Sequence, residues 1–324
     1  MKTDNVKIDS YDRRILFELD KNARITTTAI GKTIRKSKQF VDYRIKKLEA
    51  EGILKGYVGV IDYSKLGYIG IRVYFNFHNL TPTKQKEIED SLIENNKVWW
   101  LVSLEGKWDI GYALALKNML DFYPYWEKVM KKYRKYISKR SIVAYTHIKQ
   151  YPKSYLINKD NNHEGTLVGE SVETVSVDAM DLRLLKLISD KGRMSLLDLS
   201  TKLKTSPQVV RGHMKKLEKL GVIQGYKALI NVAKLGYRYY KSYINLVNLD
   251  NLGELENYCM KNPNILNINK TIGGHDFEIE LQAKSFDEFE DIMDDMRTKF
   301  SEMIEDYEFV VAREEKKMVY FPFE

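Results

Sequence analysis

Cysteine is almost missing from this chain: Cys259 stands alone among 324 residues. One thiol excludes an intrachain disulfide and a multi-cysteine metal site, and it points to a reducing cytosol. Long apolar runs are missing too, and no stretch approaches the roughly 18 residues that a membrane span needs. The N-terminus is polar through Ser10, so no secretory leader is expected. Histidine is scarce and scattered, at His78, His147, His163, His213 and His275. None of these pairs with another at metal-ligand spacing, and no glycine-rich phosphate loop precedes a helix. The expectation is a cytoplasmic chain that is not an enzyme and carries neither metal nor cofactor.

What the chain does have is the same text twice. Asp9-Ser10-Tyr11-Asp12 returns as Asp178-Ala179-Met180-Asp181. Lys46-Lys47-Leu48-Glu49 returns as Lys215-Lys216-Leu217-Glu218, and Lys65-Leu66-Gly67-Tyr68 as Lys234-Leu235-Gly236-Tyr237. An offset of 169 aligns all three, with about twenty of the sixty positions from 9 to 68 identical. Solenoid repeats run roughly 20–50 residues, so this is a whole module duplicated and fused. The repeat divides the chain into residues 1–56, 57–152, a linker over 153–177, 178–225 and 226–324. Their net charges are +6, +6, −2, +5 and −7. Two short basic segments suggest a polyanionic partner.

Each short segment reads as three helices. Ile15, Leu16 and Leu19 share a helical face behind the N-cap Asp9. A second helix covers 26–34, and a third starts at Ser37 with Phe40, Val41, Ile45 and Leu48 inward. Gly52 stops it. In the second copy Ser206 caps the third helix, Pro207 takes its first position, and Val209, Val210, Met214 and Leu217 turn inward until Gly221. Three short helices with a brief connection before the last describe a helix-turn-helix. Its last helix exposes Lys38, Gln39, Asp42, Tyr43, Lys46 and Lys47 in one copy, and Gln208, Arg211, His213, Lys215 and Lys216 in the other. Gln and Arg suit base edges, and Lys suits phosphate. Candidate DNA contacts are therefore Lys36, Lys38, Gln39, Tyr43, Arg44, Lys46 and Lys47, with Thr205, Ser206, Gln208, Arg211, His213, Lys215 and Lys216. Asp42 and the helix-interior Gly212 run against that reading.

In the longer segments the period shifts to two. Ile69, Ile71, Val73, Phe75 and Phe77 point one way, and Gly70, Arg72, Tyr74 and Asn76 the other, as in a half-buried strand. A helix over 82–94, strands over 98–104 and 110–116, a helix over 119–134 and a strand over 141–148 follow. The second copy repeats the plan as strand 238–247, helix 251–261, strands 264–271 and 277–283, helix 286–299 and strand 303–311. The order is βαββαβ, the ferredoxin-like split motif. The fold class is α+β: a duplicated module of a winged-type helix-turn-helix followed by a ferredoxin-like domain.

Arg44-Ile45-Lys46-Lys47-Leu48-Glu49-x-Glu51-Gly52-Ile53, a linking strand, and βαββαβ with Gly-x-x-Asp between its central strands resemble the Lrp/AsnC family of prokaryotic transcription regulators. The resemblance implies sequence-specific binding of double-stranded DNA in the nucleoid. It also implies self-association through the ferredoxin-like domains and modulation by an amino acid or other small effector. The turn residues Gly106, Asp109, Gly273 and Asp276 are the matching candidate effector positions. Read as residues alone, they form tight turns braced by an aspartate. Siroheme decarboxylases, enzymes of tetrapyrrole biosynthesis, share this architecture and supply the alternative. Residues 146–152 lack the His/Arg- and Trp-Pro-containing segments expected of them.

The usual family member holds one copy. Here the +6 and −7 domains of one chain are expected to pair as an intramolecular pseudo-dimer, favoured over like pairs by opposite charge. Assembly as a homo-oligomer is the other outcome. The linker is expected to act as a flexible tether of roughly 25–30 Å span.

Overall fold

The computed structural model describes residues 6–321. The first copy opens with α1 (Ser10–Lys21), α2 (Thr27–Ile34) and α3 (Lys38–Ala50). Asp9 and Asp12 form a reciprocal capping box on α1, and Ser37 caps α3. Strand β1 (Leu54–Ile61) then leads into β2 (Ile69–Phe77), α4 (Pro82–Ile93), β3 (Val98–Gly106), β4 (Ile110–Leu116), α5 (Phe122–Tyr133) and β5 (Ile137–Gln150). A short β6 (Thr166–Val168) lies in the connection. The second copy follows as α6 (Ala179–Asp190), α7 (Leu196–Leu203), α8 (Pro207–Lys219), β7 (Ile223–Ile230), β8 (Arg238–Leu246), α9 (Leu252–Lys261), β9 (Ile265–Ile272), β10 (Phe277–Ala283), α10 (Phe286–Lys299) and β11 (Ile304–Met318).

The two ferredoxin-like sheets do not stand apart. Strand β3 pairs with β11 and β5 with β9, both antiparallel. The eight strands therefore close into a barrel in the order β2-β4-β3-β11-β8-β10-β9-β5, with β5 returning to β2. Closure removes the free edges that an open sheet would expose. Helices α4, α5, α9 and α10 cover the outside. Ile71, Val73 and Phe75 meet α4 and α5 there, while Ile279 and Leu281 meet α9 and α10.

Closure explains why β5 and β11 outrun the periodicity, which ends them at 148 and 311. Each pairs first inside its own copy and then crosses to the other: β11 runs along β8 through Ala312 and along β3 from Val310 to Met318. Charged residues 313–317 hide that extension from a pattern based on alternation.

The strand leading out of each helix-turn-helix pairs with its counterpart. In the β1·β7 ribbon Val58 stands opposite Lys227, its own equivalent at offset 169, so a pseudo-two-fold axis passes between them. Hydrogen bonds repeat about this axis. Ala23 N–H donates to Tyr226 O at 2.8 Å and Gly192 N–H to Tyr57 O at 2.7 Å. Val6 N–H donates to Lys234 O and Val175 N–H to Lys65 O, both at 2.8 Å. Arg24 donates to Gly192 O and Met194 O while its equivalent Arg193 donates to Ile25 O. Each arginine also lies over the other copy's tyrosine, Arg24 on Tyr226 and Arg193 on Tyr57. The contact is isologous in the manner of a two-fold dimer.

Two expectations are corrected. The linker is not a free tether. Lys153 holds the buried carboxylate of Asp20 through both its backbone N–H and its ammonium, each at 2.8 Å. Tyr155 and Leu156 are buried, β6 folds back on β5, and Gly169 N–H donates to Asp62. Its few apolar residues are anchors spaced between polar ones, which reads in sequence as polar coil. The second correction is the face of β2 carrying Arg72, read as the open side of a half-buried strand. Arg72 is fully buried, because that face looks into the barrel at the other copy's sheet.

Candidate nucleic-acid interface

The helix-turn-helix units sit on opposite sides of the shared ribbon. Helix α1 packs on β7 and α6 on β1, so each unit rests on the strand of the other copy. Turning from α2 into α3 requires a left-handed residue at Arg35, and from α7 into α8 at Lys204. Ser37 and Ser206 spend their hydroxyls capping the last helices. Val41, Ile45 and Leu48, like Val210, Met214 and Leu217, lock those helices into their cores.

The opposite faces hold the residues singled out from sequence. Lys36, Lys38, Gln39, Tyr43, Lys46 and Lys47 are exposed, as are Ser206, Gln208, Arg211, Lys215 and Lys216; Thr205 is half-buried. Arg44 and His213 turn inward. Arg44 reaches Asp9 at 2.7 Å and Asp12 at 3.1 Å, tying α3 to the start of α1. In the second copy His213 reaches Asp181 at 2.6 Å and Lys216 reaches the same carboxylate at 2.6 Å. Burial by itself would raise the Asp181 carboxyl. The hydrogen bonds from Lys216 and His213 outweigh it and hold the group below its ordinary range. Asp178, Asp181 and His213 lie close enough to share a cation, and the Lys216 ammonium already fills that part. The aspartates of the Asp9-x-x-Asp12 capping box and of its echo Asp178-x-x-Asp181 are also the carboxylates of the clamps.

Aligned positions on the two last helices present different chemistry. Gln39 matches Gln208 and Lys46 matches Lys215. Asp42 aligns with Arg211, and Tyr43, 66% exposed, stands where the second copy has the bare backbone of Gly212. Beside α3 an open cleft of about 540 Å³ is lined by Arg24, Thr26, Thr28, Lys38 and Asp42, with Arg193 reaching in from the other copy.

The Gly-x-x-Asp turns lie at one end of the barrel. Asp109 accepts from Phe77 N–H at 2.7 Å and Asp276 from Leu246 N–H at 2.9 Å. Gly106 and Gly273 take positive φ, at 112° and 83°. The turns meet through Lys107, whose ammonium lies 3.5 Å from His275 and pairs with Glu308. Burial first, and then Lys107, lower the affinity of His275 for a proton.

A winged helix-turn-helix DNA-binding family model matches residues 8–55 and again 177–224. The transcriptional regulator LrpB of Bacillus subtilis is 45% identical over 74 residues, 23% of this chain and 50% of LrpB. An uncharacterized HTH-type transcriptional regulator of Pyrococcus furiosus is 30% identical over 129 residues, 39% of this chain and 83% of that protein. The chain belongs to the Lrp/AsnC family of transcription regulators. It spans half the length of LrpB, and neither regulator match covers more than two-fifths of it. Among solved structures, the siroheme decarboxylase NirDL is similar with a TM-score of 0.62 at 13% identity, over 96% of this chain and 93% of NirDL. That likeness is one of fold. As a tandem Lrp/AsnC regulator, this chain is a DNA-binding protein with two helix-turn-helix units. Among the described residues no helix is long and apolar enough to cross a membrane.

Proposed function

We propose that one chain reads a single asymmetric DNA operator with both helix-turn-helix units, as a sequence-specific regulator and not an enzyme. The observation that carries this is the pseudo-two-fold placement of α3 and α8 about the β1·β7 ribbon, with Asp42/Arg211 and Tyr43/Gly212 differing at equivalent sites. Two-fold proteins read half-sites about one helical turn apart. Unlike readers then require unlike half-sites. Gln39, Tyr43, Gln208 and Arg211 face base edges, while Lys36, Lys38, Lys46, Lys47, Lys215 and Lys216 meet phosphate; Thr205 and Ser206 flank the second reader. Arg44 and His213 act through the clamp. An amino-acid effector binds at the joined Gly-x-x-Asp turns, where Lys107, Glu308 and the two aspartates offer both signs of charge.

Gel shifts of genomic fragments at several salt concentrations test this. Affinity falls with a log–log slope of about −0.9 per phosphate contacted, and footprints show two dissimilar half-sites. A palindromic footprint ends the asymmetric reading. The enzyme alternative predicts saturable change in a siroheme absorption band with no DNA shift.

A further inference from the structure

Four charged side chains lie buried on the barrel strands among the described residues: Arg72 on β2, Lys241 on β8, and Glu278 and Glu280 on β10. Arg72 meets Glu278 at 2.5 Å across the seam between the copies. Lys241 meets Glu278 at 3.0 Å and Glu280 at 2.7 Å within the second copy. The rings of Tyr74 and Tyr145 lie within 5 Å of the Arg72 guanidinium. Tyr239 and Asn269 donate to Glu280 at 2.5 and 2.9 Å.

The contributions of the two copies are unequal. Arg72 and Lys241 are equivalent at offset 169. Glu278 and Glu280 align, at offset 167, with Gly111 and Ala113. The first copy thus brings one positive charge to the interior and no acid on β4. The second brings one positive and two negative charges. Paired together they are neutral. Two first copies would bury two arginines without a carboxylate, and two second copies would bury four glutamates with two lysines. An uncompensated buried charge is strongly unfavourable, whereas a satisfied pair need not be.

The large opposite net charges of the two domains sit elsewhere. Lys128, Lys131 and Lys132 on α5, and Asp287, Glu290, Asp291, Asp294 and Asp295 on α10, are exposed on helices that cover the outside of the barrel. Salt screens such charges over about 10 Å. The selection between partners therefore lies inside.

We propose that Arg72, Lys241, Glu278 and Glu280 form a charge code that makes a first-copy sheet accept only a second-copy sheet as its partner. The code admits the complementary half and rejects like halves by leaving their charges unmatched. Nothing in it depends on DNA or an effector.

Reversal on the full chain tests it. Arg72→Glu makes both halves of a chain negative inside, and Glu278→Arg makes both positive. Each variant is mismatched within itself, yet each half of one fits the opposite half of the other. Co-refolding the two variants, one carrying a heavy-isotope label, is expected to give a 1:1 two-chain species in native mass spectrometry. That species should exceed the dimers of either variant alone by at least about tenfold. The double variant R72E/E278R is expected to refold as a single-chain species like the parent. If the single variants refold to parent-like monomers and no 1:1 species forms on mixing, pairing is set by something else. Failure of R72E/E278R to recover a fold lost by both single variants overturns the code equally.

Discussion

The first copy ties the last helix of its helix-turn-helix to the first with one arginine, Arg44, across Asp9 and Asp12. The second ties the same place with a histidine and a lysine on Asp181. Inside the barrel the pattern repeats: Arg72 stands alone in its copy, and its equivalent Lys241 sits between two glutamates. Backbone geometry about the pseudo-two-fold axis agrees to individual hydrogen bonds, while the ionic chemistry hung on it has changed. After duplication the frame is shared and the charges carry the identity of each half.

The sharpest way to break that comparison is at the aligned pair Arg72 and Lys241. Arg72→Met leaves Glu278 without its cross-copy partner and should cost about 3–5 kcal/mol in urea unfolding. Lys241→Met takes one of two cations from Glu278 and the sole cation from Glu280, so it should cost more; equal losses would mean that the halves are not distinguished here. The clamps come next. Arg44→Ala removes every charge-assisted bond of its clamp, a loss of about 1.5–3 kcal/mol, whereas His213→Ala leaves Lys216 in place and costs about 1 kcal/mol. Thermal melts of both variants rank the clamps.

Acid should weaken the second copy's contribution first. Burial alone would raise the Glu280 carboxyl, but Lys241 and its hydrogen bonds bring it to about 2, against an ordinary 4.5. A depressed carboxyl contributes stability that is complete above pH 4.5 and drains as pH falls toward 2. The Glu280 contribution to the melting temperature, read as the difference between parent and Glu280→Gln, should be constant above pH 4.5 and shrink below it. At the axis itself Lys227 has Val58 as its equivalent. Burial pushes its ammonium down to about 8, so the folded state disfavours the charge. The parent should gain stability as pH rises from 8 toward 10.5. Lys227→Val should therefore raise the melting point most below pH 8, with no gain above 10.5; a gain independent of pH would point to packing instead. The smallest effect is expected at Gly212, where an added Cβ meets nothing within 4 Å. Gly212→Ala should stabilise α8 by about 0.5–1 kcal/mol, measured by urea unfolding, and bring it closer to its counterpart α3.

Much of this was legible in the chain. Capping residues, apolar stripes and the second Gly-x-x-Asp located the helices and the central strands, because those signals are local. The pairing of the two domains was anticipated from their charge; what stayed hidden was which residues make it. Arg72 alternates with apolar residues as a solvent-facing residue would; only the second sheet makes it interior. Charges over 313–317 disguise strand extensions whose partners lie two hundred residues away. Arg44 and His213 have the right chemistry for DNA, and nothing local shows that the carboxylates of another helix claim them. Tyr155, Leu156 and Val168 were too few to mark the linker as pinned.

The barrel closes within one polypeptide, and that alters how such a regulator responds to its own abundance. A regulator assembled from separate subunits loses its paired readers on dilution, so occupancy of its operator falls faster than its concentration. Here the pairing step is unimolecular, and the second reader stays beside the first at any copy number. On the proposed reading of one operator by one chain, operator occupancy should follow chain number in simple proportion until the site fills.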